Sequence, residues 1–130
     1  MEQLECAALE AKMHAYVPYS HYQVGAALVT KNGKIYTGCN IENDGIMSIC
    51  AERVAFCKAI SEGETDFDKI CIVAGQENSS YLDLATPCGY CRQFMSEFVD
   101  SNFKVIVSNG KEKKEFSLAE LLPEGFSFTK

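Results

Sequence analysis

Residues 22–41 read YQVGAALVTKNGKIYTGCNI, two β-rich runs separated by Lys31-Asn32-Gly33-Lys34. An Asn-Gly pair tolerates the positive φ of a type I′ turn, so Tyr22–Thr30 and Ile35–Ile41 are expected to form a hairpin. Gly25-Ala26-Ala27 is almost bare of side chains within the first strand, which predicts a helix packed closely on that face. Upstream, Leu4, Ala7, Ala8, Ala11 and Ala15 recur at helical spacing, predicting an amphipathic helix over 3–16. Pro18 ends that periodicity, because it lacks an N–H donor and disfavours helix at Val17.

Downstream of the hairpin, Ala, Glu, Arg and Lys return between Ser48 and Ser61, with Ser48 placed to cap a helix and Gly63 where one commonly stops. Lys69–Gly75 is an apolar run without alternation, as expected of a strand covered on both faces. Residues 76–86 are polar and irregular, and Pro87 suits the entry to a helix running to Val99. Phe103–Ser108 reads as a strand, Asn109-Gly110 as a turn, and the charged Lys111–Glu115 as a solvated turn. Ser117-Leu118-Ala119-Glu120 is a capping box for a short last helix closed by Pro123. Helices and strands alternating after a hairpin imply a mixed sheet covered by helices, an α/β fold of the three-layer α/β/α sandwich type. At 130 residues, one domain spanning 1–130 is expected.

Composition narrows the function. No apolar run approaches the ~20 residues needed to cross a bilayer, and the first residues are acidic where a signal peptide is basic. A soluble cytoplasmic protein, not membrane-bound, is the expectation. Seven cysteines is an odd number, scattered through apolar segments such as Ile70-Cys71-Ile72, which favours reduced thiols over a disulfide framework. Cys6, Cys39, Cys57 and Cys71 read as packing residues. A net charge of −6 repels phosphates and argues against a nucleic-acid partner, leaving a small substrate.

The other three cysteines carry the chemistry. Cys50-Ala51-Glu52, followed after a long interval by Pro87-Cys88-Gly89-Tyr90-Cys91, supplies three sulfur ligands and a carboxylate not needed as a ligand. Zinc usually takes four ligands, so three thiolates leave a position for water, the arrangement of a catalytic site. Both segments open predicted helices, whose N-terminal partial charge favours thiolates. Glu52 is placed to carry protons, and Arg53, in preference to Arg92, to hydrogen-bond the sulfurs. His14 and His21 are neither clustered nor near these motifs. Taken alone, Cys88-x-x-Cys91 also fits a redox pair or a non-catalytic zinc-binding module.

With these motifs in place, the chain resembles the small zinc-dependent cytidine deaminases over essentially its whole length. The matching stretches are Pro18–Leu28, Gly38–Asn43, Cys50–Arg53, Pro87–Gln93 and Leu121–Pro123. The resemblance implies hydrolysis of free cytidine and deoxycytidine, with Zn2+ held by Cys50, Cys88 and Cys91 and Glu52 as catalytic proton shuttle. It implies that Tyr22, Asn40, Glu42, Ala51 and Phe126 bind substrate, with Asn40 and Glu42 on the ribose hydroxyls and the Ala51 main chain on the pyrimidine. Arg53 and Gln93 would support the metal ligands from behind. It further implies a homotetramer with shared active sites, Phe126, or in reserve Phe128, reaching a neighbouring subunit.

Three departures concern the expected pocket, the first within it and the other two flanking it. Tyr22 stands where the family usually has Phe; Asp44-Gly45-Ile46-Met47 replaces a common Ala and nearby Tyr; and the segment before Pro87, with Tyr81-Leu82-Asp83-Leu84, is longer than usual. Deamination of a modified cytosine nucleoside or of blasticidin S is the alternative within the same chemistry.

Overall fold

The computed structural model describes residues 2–44 and 48–128; Gly45, Ile46 and Met47, part of one departure above, lie outside the described residues. In chain order the elements are α1 (Gln3–Lys12), β1 (Tyr22–Thr30), β2 (Ile35–Cys39), α2 (Ala51–Ser61) and β3 (Phe67–Gln76). Then come α3 (Gly89–Ser96), β4 (Lys104–Ser108), β5 (Lys113–Ser117) and α4 (Leu118–Leu121).

The hairpin forms, but through a different turn. Val29 pairs with Ile35, Thr30 N–H donates to Lys34 O at 2.9 Å, and Gly33 N–H donates to Thr30 O at 3.0 Å. Positive φ is needed at Gly33 (92°) and not at Asn32. This is a three-residue loop with a glycine bulge rather than type I′, and it suits the strand twist equally.

The five strands are ordered β2-β1-β3-β4-β5. β1 runs antiparallel to both β2 and β3, whereas β3 and β4 are parallel. β2 and β3 therefore point the same way on either side of β1, and a parallel connection requires a crossover, here α2. The β3-to-β4 connection uses α3 in the same manner. Both crossover helices consequently begin at the carboxyl end of the strand before them. In open α/β sheets that is the edge where sites form.

The helices cover both faces. On one, Phe56 of α2 and Met95 of α3 are fully buried with Leu28, Ile70, Ile72 and Val105. On the other, Ala8 of α1 packs with Ala27, Cys71 and Val73. The bare stretch of β1 is explained by α1: a Cβ on Gly25 would lie 2.0 Å from the Ala8 carbonyl. Gly38 does the same for α2, where a Cβ would meet Ala51 O at 2.4 Å. β3 is buried from Ile70 to Gly75, as its unbroken apolar run predicts.

Several boundaries differ from expectation. The first helix ends at Lys12 because Tyr16 is drawn to the sheet edge, its N–H donating to Asn40 O (3.1 Å) and its carbonyl accepting from Glu42 N–H (2.9 Å). Cys50, not Ser48, occupies the N-cap position of α2, without a side-chain capping bond, and α3 ends at Ser96 rather than Val99. The solvated turn expected at Lys111–Glu115 is largely strand β5, paired antiparallel with β4. Its side chains are mostly exposed, so charge misled: an edge strand keeps its charges in water while its backbone pairs inward. Of the four cysteines expected to pack, only Cys71 is buried; Cys6 and Cys57 are exposed and Cys39 is half-buried. No disulfide links the cysteines of the described residues.

Candidate active site

Because β2 and β3 point the same way, the starts of α2 and α3 meet at one edge of the sheet, and each start is a cysteine. Cys50 is the N-cap of α2 and Cys88 the N-cap of α3, both with extended backbone (ψ 153° and 165°). Cys91 lies in the first turn of α3 and its N–H donates to Cys88 Sγ at 3.4 Å. The sulfurs of Cys50, Cys88 and Cys91 all lie within 4.8 Å of one another, and Cys50 Sγ is 3.7 Å from Cys88 Sγ. A tetrahedral zinc with Zn–S bonds near 2.3 Å separates its sulfurs by roughly 3.8 Å, so the spacing fits that ion. Three protein groups, not four, make up the cluster among the described residues. That Cys50 joins the other two is more than a two-cysteine redox pair requires.

The groups around the sulfurs favour a thiolate at Cys50 and a thiol at Cys91. The Cys50 thiol is pushed down to about 5, first by its hydrogen bond with Cys91 and then by Arg53 and Cys88, against the opposing effect of burial. Cys91 is pushed up, by that same hydrogen bond and by burial. Arg53 reaches Cys50 Sγ at 3.7 Å and Ser48 O at 3.2 Å through Nη2. Its guanidinium lies 4.2 Å from the Tyr90 ring centroid, a cation–π contact. Arg92, in contrast, donates to the carbonyls of Pro87 (2.7 Å) and Leu121 (2.8 Å) and to Thr86 Oγ1 (3.0 Å). It braces the loop instead of the sulfurs.

Glu52, in the first turn of α2, is only 4% exposed and lines the same cavity as Cys50 and Cys88. Burial pushes its carboxyl up to about 7, and the Cys50 charge adds to this; its own main-chain amide and Arg53 oppose the shift. A carboxyl so placed both takes and releases a proton near neutral pH.

The cavity also contains Tyr22, Asn40 and Ala51. Asn40 is engaged with β1: Oδ1 accepts from Val24 N–H and Nδ2 donates to Tyr22 O, each at 2.9 Å. One amide hydrogen of Asn40 is left for a ligand. Glu42 lies outside the cavity lining, its carboxylate held by the N–H groups of Tyr19 and Ser20 (3.1 Å each) and by Ser20 Oγ (2.5 Å). Those bonds, Ser20 Oγ first, hold its carboxyl below the usual range. Phe126 is 63% exposed and absent from this cavity. Gln93 faces that tail, not the sulfurs: its Nε2 donates to Phe126 O (2.9 Å) and its Oε1 accepts from Phe126 N–H (3.4 Å).

Residues passed over in the sequence also line the cavity: Val24, Ile72, Ala85 and Thr86. Val24 was within reach, since it follows Tyr22 by two on a strand and shares its face. The Tyr22 hydroxyl donates to Asp83 Oδ2 at 2.9 Å, and burial followed by that carboxylate pushes its pKa up to about 12. No local signal connects residues so far apart in the chain.

Against known proteins, the family model for the cytidine and deoxycytidylate deaminase zinc-binding region matches residues 1–107. The cytidine deaminase of Sporosarcina psychrophila is 43% identical over 129 residues, covering 98% of this chain and 91% of its own. That of Halalkalibacterium halodurans is 43% identical over 122 residues, covering 92% and 89%. The crystal structure of cytidine deaminase from Burkholderia pseudomallei is similar with a TM-score of 0.86 at 37% identity, covering 97% of this chain and 100% of that one.

Proposed function

The chain belongs to the zinc-dependent cytidine deaminase family, and from that premise we propose that it hydrolyses free cytidine and deoxycytidine to the corresponding uridines and ammonia. The observation that carries this reading is the buried Glu52 carboxyl in the cavity where Cys50 and Cys88 meet. Cys50, Cys88 and Cys91 would hold zinc, which when bound would supply a Lewis acid able to bring the pKa of a water toward neutrality. Glu52 would accept one proton from the attacking water and pass it to the ring nitrogen, then take the second from the newly formed C4 hydroxyl and pass it to the amine, which leaves as ammonia when the C–N bond breaks. The Ala51 main chain and the Tyr22 ring hold the pyrimidine, and Asn40 and Glu42 take the ribose hydroxyls. Phe126 serves a neighbouring subunit's site within a homotetramer. Residues 1–130 act as one catalytic domain, in the cytoplasm and in pyrimidine salvage.

Charge supports this reading. The −6 net charge disfavours polyanionic substrates. Among the described residues no helix is long and apolar enough to cross a membrane. Incubation with cytidine should change the ultraviolet absorbance and release ammonia. Glu52→Gln should lower kcat by about 10²- to 10⁴-fold while zinc content stays unchanged. A zinc-loaded wild-type protein inert on both nucleosides would remove the substrate assignment.

A further inference from the structure

Three consecutive residues at the entrance to β1 are each tied to a different carboxylate. Ser20 Oγ binds Glu42 at 2.5 Å, His21 Nδ1 lies 3.1 Å from Glu77 Oε1, and Tyr22 Oη donates to Asp83 Oδ2 at 2.9 Å. His21 is held in the left-handed region (φ 58°), a conformation that costs a non-glycine residue about 1 kcal/mol or more and persists only where the surroundings enforce it. Of the three, only Tyr22 lines the cavity beside Glu52.

Both ends of the Tyr22–Asp83 bond are anchored. The Tyr22 carbonyl accepts from Asn40 Nδ2, and Asp83 N–H donates to Ala74 O of β3 at 2.8 Å. Ala85 and Thr86, two and three residues beyond Asp83, line the cavity too, and Cys88 follows them. The bond therefore joins the strand that carries Tyr22 and Val24 to the segment that carries Ala85, Thr86 and a metal ligand. Asp83 does not line the cavity, so its influence on a ligand passes through the Tyr22 ring.

We propose that Asp83 is a positioning residue that, by latching the Tyr22 hydroxyl, fixes the distance between the two cavity walls and so sets the affinity for the cytosine ring. The inference rests on the nucleoside deaminase reading above. It also assigns a use to two departures that otherwise look unrelated, the hydroxyl at position 22 and the long segment before Pro87. The latch takes no part in proton transfer, which belongs to Glu52, so its loss acts on KM and leaves kcat nearly untouched.

Steady-state kinetics with cytidine test it on zinc-loaded Tyr22→Phe, Asp83→Ala, Asp83→Asn and the Tyr22→Phe/Asp83→Ala double variant. Tyr22→Phe and Asp83→Ala should each raise KM about five- to tenfold, with kcat within about twofold of wild type. Asp83→Asn, whose amide oxygen still accepts the bond, should keep KM near wild type, and the double variant should be no worse than either single. Unmoved KM in both singles, additive effects in the double, or a loss confined to kcat would overturn the latch. The wild-type rate measured alongside separates the two readings. An inert wild type overturns the nucleoside reading and this inference with it, whereas an active wild type with unmoved variants overturns the latch alone.

Discussion

At Arg53 one guanidinium touches Cys50 Sγ, Ser48 O and the Tyr90 ring, and its Nε is buried without a protein partner. Its charge favours the thiolate form of Cys50, the form a metal requires. Arg53→Ala should therefore weaken zinc binding about 10- to 100-fold, read by competition with a coloured chelator. Lys should restore it poorly, since an ammonium lacks the planar fork. The choice of Arg53 over Arg92 was readable because Arg53 follows Cys50 by three, the spacing that brings neighbours together on a helix. Gln93 shows the limit of such reasoning. It belongs to the same motif as Cys88 and Cys91, yet its amide serves the C-terminal tail.

At the scale of elements, α1 is fastened to the β4–β5 hairpin by one carboxylate. Glu5, buried at the start of the helix, accepts from Ser108 Oγ (2.5 Å) and Glu2 N–H (3.1 Å), with Lys113 Nζ 3.6 Å away. The Ser108 bond is the main cause holding its carboxyl below the ordinary 4.5; burial opposes it, and the Glu2 amide and Lys113 assist. The Cys71 thiol, pushed up to about 12 chiefly by burial, faces the same carboxylate and stays neutral. A lowered folded pKa means that Glu5 contributes stability above the unfolded value of 4.5 and loses it as pH falls through the folded value. Glu5→Gln should cost about 1–2 kcal/mol at pH 7, and denaturant melts of the two proteins should converge at acid pH. A gap that persists unchanged at low pH would sink this account. None of it was visible beforehand, because β5 was hidden in a charged stretch and Ser108 is 103 residues from Glu5.

For the whole molecule, the aromatic tail decides. Phe126 and Phe128 are 63% and 93% exposed, in edge-to-face contact with each other (4.9 Å between centroids) and outside the cavity of their own chain that contains Glu52. Clustered exposed aromatics mark surfaces that another molecule covers. In the proposed homotetramer the purified protein should scatter light at four times the 14.4 kDa chain mass. Phe126→Ala should lower cytidine turnover about tenfold with zinc content intact. A monomer of full activity would refute the shared site.

Residue type and spacing alone marked the candidate metal ligands and the carboxyl proposed to carry protons. Cys50, Glu52, Cys88 and Cys91 declare their chemistry wherever the chain places them, and hydrophobic periodicity is a local property, so the helices and most strands were determined too. The sequence did not decide which groups would meet. Two starts of helices, 38 residues apart, come together because β2 and β3 point the same way around β1. The Tyr22–Asp83 bond, the anchoring of Glu5 and the outward-facing tail depend on that same topology. Such contacts follow from strand order and crossover, which sum over the whole chain and leave no mark at any single position.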